Sequence, residues 1–138
     1  MTITTGCTEI TEFDTEKLNI LSGKIIHYSI YVHQQLGPGL LESAYQHALA
    51  YKLTKENISF ETEKLIPVYI DNEKIDAGYR ADFIIEGKII LELKSVERLA
   101  PIHEAQLLTY MKLGEFELGL LLNFNERLLK NGIKRMRL

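Results

Sequence analysis

The sequence predicts an α/β domain, a mixed central β-sheet flanked by helices. Three observations predict it. Residues 15–36 and 40–56 carry apolar side chains at helical spacing. Between Ile58 and Val96 come short runs rich in Ile, Val and aromatic residues, punctuated by Pro67, Asp71-Asn72 and Gly87. Glu117–Phe124 (ELGLLLNF) is then a continuous apolar run after a third helical segment, the pattern of a buried strand reached by a parallel crossover.

A chain of 138 residues, 46% hydrophobic and 25% charged, suits one compact domain, expected over residues 15–138. Residues 1–14, rich in Thr and carrying three acids, are expected to form a flexible N-terminal arm without the basic start and apolar core of a signal peptide. No 18-residue apolar run occurs, so no membrane partner is expected, and the chain reads as cytoplasmic. The single Cys7 cannot form an internal disulfide. A net charge of -3 excludes a histone-like clamp that holds nucleic acid by charge alone.

In the first helix, Leu18, Leu21, Ile25 and Val32 recur on one face, with Ile26 and Ile30 beside them. His27 and His33 are six apart and therefore not a metal-binding pair; both read as solvated or partly packed. Gly37-Pro38-Gly39 ends this helix and opens the second, whose buried stripe is Leu41, Ala44, Tyr45, Ala48, Leu49 and Leu53. Glu42 falls in its first turn, where the helix dipole stabilises a carboxylate. Strands are expected from Ile58 to Ile70 around Pro67, which suits an edge, and from Lys74 to Ile85. Glu61, Glu63 and Lys64 read as solvated. Pro101 opens a third helix that Gly114 closes; on it His103, Gln106 and Tyr110 share a face. The tail from Arg127 is basic and ends in a short strand, and it could meet a phosphate backbone.

The chemistry concentrates between Gly78 and Tyr110. Asp82, Glu92 and Lys94 stand in strands that are otherwise apolar, and buried charge is costly unless it is paired or holds a metal. Glu92 and Lys94, two apart, point to one face of their strand. Asp82 joins them if it lies opposite Glu92. A two-residue Glu86-Gly87 turn would pair Asp82 with Leu91 and turn it away, whereas a three-residue loop (Glu86, Gly87, Lys88) pairs it with Glu92. An odd-length loop or a bulge is therefore predicted, with Gly87 supplying positive φ. Two carboxylates beside an ammonium suit a hard divalent cation, Mg²⁺ or Mn²⁺, in phosphate chemistry. The plainer alternative is a set of cross-strand salt bridges.

Asp82, nine intervening residues, then Glu92-Leu93-Lys94 resembles the core of the PD-(D/E)XK nuclease superfamily, with its restriction-endonuclease-like fold. Gln106-Leu107-Leu108-Thr109-Tyr110 resembles the Gln-x-x-x-Tyr element of its exonuclease-like branches, and Gly39-Leu40-Leu41-Glu42-Ser43-Ala44-Tyr45 is similar to the motif that names the GxxExxY protein family. The likeness covers about residues 22–137. It departs from the pattern where Ala81, not proline, precedes Asp82.

The resemblance implies a restriction-endonuclease-like core and a metal-dependent nuclease acting on DNA ahead of RNA. It implies Asp82, Glu92, Glu42 and the Leu93 carbonyl as ligands of Mg²⁺ or Mn²⁺, Lys94 as the group that orients water, and Gln106 and Tyr110 as contacts to the strand. The alternative is a non-catalytic module, binding nucleic acid or protein, that retains the nuclease fold. A homodimer, formed through an apolar patch on the first helix, would compensate for the small surface of a lone domain.

Overall fold

A computed structural model of the chain describes residues 2–76 and 78–138, with side chains from Thr15 onward. The expected arm over residues 1–14 falls outside the described side chains. Helix α1 is Thr2–Leu36 and α2 is Glu42–Lys55. Strands β1 (Phe60–Leu65), β2 (Val68–Ile70), β3 (Glu73–Ile75), β4 (Arg80–Ile85) and β5 (Ile89–Lys94) follow. Helix α3 (Pro101–Gly114), β6 (Leu118–Asn123), a 3₁₀ turn at Leu129–Gly132 and β7 (Ile133–Arg137) complete the chain.

Five strands form one sheet in the order β1-β4-β5-β6-β7. Only β5 and β6 run parallel, joined through α3; the other neighbours are antiparallel. The mixed sheet flanked by helices agrees with the fold class expected from the sequence. The two central strands are apolar because helices cover both their faces. On one face Phe83, Ile85, Leu91, Leu93 and Leu120 pack against Leu18, Ile25 and Val32 of α1 and Tyr45, Leu49 and Leu53 of α2. On the other, Ile84, Ile90 and Leu121 meet Leu107 and Met111 of α3. Burying each Leu or Ile contributes about 2 kcal/mol, so the two-sided core is the main stabilising term. Gly119 lets α3 approach closely, since a Cβ there would lie 2.6 Å from Met111 Sδ.

The sequence placed one strand from Lys74 to Ile85, and the structure divides it. β3 leaves the main sheet to pair with β2 alone, around Asp71 and Asn72 at φ 52° and 65°. The chain rejoins the sheet only at Arg80. Leu41, expected in the buried stripe of α2, is 78% exposed because it sits at the N-cap. His33 is buried: its Nε2–H donates to the Glu126 carbonyl at 2.7 Å, and its ring lies tilted against Phe124. The last strand, β7, forms as expected. Its Arg135 and Arg137 reach back to Asn19 and Thr15 of α1. That end of β7 pairs with the start of β6, away from Lys94 and Asn123, so these two arginines do not face the acidic pair.

Candidate active site

The β4–β5 loop is the three-residue one. Ile85 pairs with Ile89, Glu86 and Gly87 adopt φ of 50° and 67°, and the Lys88 N–H donates to the Ile85 carbonyl. The register then runs through Ile84–Ile90 to Phe83–Leu91, so the next opposed residues are Asp82 and Glu92. There the ladder ends. The neighbouring β1–β4 ladder also skips a step, omitting Glu63 and Asp82 between Thr62–Phe83 and Lys64–Ala81. Glu63 takes a left-handed φ of 52° at that point, a conformation unfavourable for a residue with a Cβ. Ala81 and Phe83, two apart, consequently join opposite cores, showing that β4 twists at Asp82.

The twist frees backbone and side-chain groups that an unbroken sheet would consume. The Asp82 carboxylate accepts the Leu93 N–H at 2.8 Å, a place the ladder would give to a carbonyl. The Asp82 N–H donates to Glu92 Oε1 at 3.2 Å. The Asp82 carbonyl accepts from Gln46 Nε2 of α2 at 3.2 Å. Asp82 therefore lies in the gap between parted strands rather than on a flat face beside Glu92 and Lys94, as alternation alone suggested.

Glu92 is only 6% exposed. Burial and, next, the Asp82 charge push its carboxyl up to about 8. Burial also raises Asp82 above the ordinary carboxylate range, against the lowering effect of the Leu93 N–H, while Glu63 and Glu42 add repulsion. The nearby Lys94 charge offsets this only in part, so burial and mutual repulsion keep both carboxyls above their ordinary range. Tyr79, just ahead of β4, donates its hydroxyl to Glu92 Oε1 at 3.2 Å. Burial, then the Glu92 charge, raises the Tyr79 phenol above its usual range and keeps it protonated.

A cleft of about 230 Å³ opens over Asp82, lined by Glu42, Ser43, Gln46, Glu63 and Leu93. Glu42 is exposed at the start of α2, on the rim of this cleft. Among the described residues no group of three or more His, Cys, Asp or Glu side chains is arranged to hold a metal ion, and Glu42 shares the cleft with Asp82. Asp82 and Glu92 supply oxygen donors of the hard type, and two carboxylates held this close with raised proton affinities fit a divalent cation. Lys94 ends β5, half-buried and paired in register with Asn123, and its charge favours ionised Glu92. Gln106 lies half-buried on α3, and Tyr110, one turn on, stacks its ring on Tyr79. A larger groove of about 670 Å³ lies between β1 and the end of α3, lined by Leu65, Pro67, Tyr69 and Phe116. It holds none of these groups, so chemistry rather than size singles out the cleft.

Other sequence features have structural tasks. Tyr45 is fully buried, donates to the Gly37 carbonyl at 2.6 Å, accepts the Leu40 N–H and stacks on Phe124. His103 accepts the Ala100 N–H at 2.9 Å and thereby caps α3. Asn123, fully buried, binds both the N–H and the carbonyl of Val96 and fixes the loop after Lys94. Gln46, Glu63 and Tyr79 were not among the site residues read from sequence. Helical spacing already sets Gln46 one turn from Glu42. Glu63 and Tyr79 join the site through strand pairing and its interruption at Asp82, which no local pattern announces.

Among the described residues no helix is long and apolar enough to cross a membrane. No curated protein and no solved structure gives a significant match to the chain. A family model, described as the PD-(D/E)XK nuclease superfamily, matches residues 19–136, which include the parted strands, the Asp82–Glu92 pair and Lys94. The chain belongs to the PD-(D/E)XK nuclease superfamily.

Proposed function

We propose that the protein is a metal-dependent nuclease that hydrolyses phosphodiester bonds, in DNA ahead of RNA, within the cytoplasm. The observation that carries this reading is the pairing of half-buried Asp82 with buried Glu92 at the point where β4 and β5 part, with Lys94 two residues on. Asp82 and Glu92 would hold Mg²⁺ or Mn²⁺, with the Leu93 carbonyl; Glu42, on the rim of the cleft, would complete the set. When bound, such a cation offsets charge developing on the phosphate and makes water a better nucleophile.

The chain's own residues do the rest. The Leu93 N–H and the Asp82 N–H fix one carboxylate each, so both are oriented before any ligand arrives. Lys94 orients the attacking water and stabilises negative charge on the pentavalent phosphate. Gln106 and Tyr110 of α3 contact the nucleic-acid strand. A homodimer would widen the grip, with exposed Ile20 and Tyr31 of α1, eleven residues apart and so on one face, as apolar contacts.

Calorimetric titration of Mn²⁺ into the wild type and the Asp82→Asn variant tests the reading, followed by cleavage assays on single- and double-stranded DNA and RNA. Saturable binding lost in the variant, together with cleavage, is expected. A folded wild type that binds no Mn²⁺, with or without nucleic acid, would sink it in favour of a non-catalytic module.

A further inference from the structure

Tyr79 touches one acid of the pair and one residue of α3. Its hydroxyl donates to Glu92 Oε1 at 3.2 Å, and its ring stacks on Tyr110 at an interplanar angle of 23°. Its own backbone is tied down, since the Tyr79 carbonyl accepts the Ile66 N–H at 2.9 Å. Leu99, Leu113 and Phe116 pack around the same side of the sheet. The tyrosine is thus held at its main chain and at its ring, and it spends its one hydroxyl proton on Glu92.

We propose that Tyr79 is a positioning residue for Glu92, and that Tyr110 acts on the site through Tyr79. The inference rests on the nuclease reading of the Asp82–Glu92 pair. Glu92 Oε1 is engaged from two directions, by the Asp82 N–H and by the Tyr79 hydroxyl. Those two donors set the plane of the carboxylate and leave Oε2 as its free oxygen for a cation. A carboxylate ligand without such a partner can rotate about its last torsion, and outer partners of this type typically contribute ten- to hundredfold in metal affinity. The stack on Tyr110, with ring centroids 3.2 Å apart, removes the remaining freedom of the Tyr79 ring, because a directly overlaid, close-packed partner leaves it no room to turn. Tyr110, which sequence reading assigned to the nucleic-acid strand, thereby gains a second task that needs no contact with substrate.

A double-mutant cycle read by Mn²⁺ affinity tests this. Tyr79→Phe keeps the ring and its stack, so the melting temperature should stay close to that of the wild type while Mn²⁺ binding weakens about tenfold or more. Tyr110→Leu removes the stack and should weaken Mn²⁺ binding in the wild-type background, yet change it less than about twofold when Tyr79 is already Phe. Wild-type Mn²⁺ affinity in Tyr79→Phe, or the same fold-loss from Tyr110→Leu in both backgrounds, would overturn the proposal. The two levels of inference separate cleanly. If wild type binds no Mn²⁺, or Asp82→Asn binds it as well, the nuclease reading falls and takes this one with it. If Asp82→Asn abolishes binding and Tyr79→Phe leaves it untouched, only the role of Tyr79 falls.

Discussion

The peptide N–H of Asp82 donates to the side chain of Glu92 at 3.2 Å, so one acid of the pair is oriented by the backbone of the other. The contact exists because β4 leaves both of its ladders at Asp82. A continuous sheet would have spent that N–H on β1 and kept the two carboxylates merely adjacent.

Lys94 lies at the end of β5, beyond the last fully buried position of that strand. Replacing it with Ala removes no core contact and leaves Glu92 and Asp82 in place. Lys94→Ala is expected to fold with an unchanged melting temperature and to lose cleavage by at least about a hundredfold, as for removal of one charge-stabilising donor. Retained cleavage in a folded Lys94→Ala protein would end the proposed mechanism.

The raised carboxyl of Glu92 predicts how metal-free stability varies with pH. An acid whose folded pKa exceeds its unfolded value holds its proton longer in the folded state. Its contribution is fully present below the ordinary value of 4.5 and is lost as pH rises through about 8. Stability should therefore fall across that window and level off above it, and Glu92→Gln should flatten the profile. Mn²⁺ affinity should run the other way, rising with pH to about 8, because the cation competes with the proton. Denaturant melts from pH 4 to 9, with and without Mn²⁺, check both slopes.

Tyr45 joins the turn before α2 to the core. Tyr45→Phe leaves the Gly37 carbonyl and the Leu40 N–H without their partner, while the stack on Phe124 survives. A loss of about 1–3 kcal/mol is expected, near 4 °C in melting temperature for each kcal/mol. Cleavage should fall more than stability alone explains if the start of α2, with Glu42, must be held at the cleft. Thermal melts and cleavage rates on the same preparation separate the two effects.

Asn123 offers a parallel test on the opposite side of Lys94. Asn123→Ala strands the N–H and carbonyl of Val96 and the N–H of Asn125. About 2–3 kcal/mol should be lost, and amide exchange should quicken in residues 95–100 before the rest of the sheet. Unaltered exchange there would mean that the loop is fixed by other contacts.

Much of this was legible before any coordinates. The parity of the Glu86–Lys88 loop, the placement of Asp82 opposite Glu92 and the parallel crossover to β6 all follow from counting residues against two periodicities. The limits are equally physical. The divided segment from Lys74 to Ile85 looked continuous because both halves carry strand-forming residues, and only the pairing of β3 with β2 breaks it. Glu63 was read as solvated because it is exposed; that it sits where β4 twists depends on a left-handed φ with no glycine to signal it. Tyr79 joined the site by a contact across the sheet, and sequence separation hides such contacts. Among the motif residues, Tyr45 turned out to brace a turn, a task that a local pattern cannot distinguish from one at the cleft.

The three-residue loop between β4 and β5 bears on how this chain can vary over generations. Side chains alternate with a period of two, so gaining or losing a single residue between Ile85 and Ile89 would transpose Phe83 and Ile85 with Asp82 and Ile84. The acid would turn away from its partner in the same event that exposed part of the core. Insertions and deletions of one residue should therefore be purged here, while changes of two preserve the parity. Descendants of this gene should differ in that loop by even steps, a spacing rule written by the geometry of the pleat.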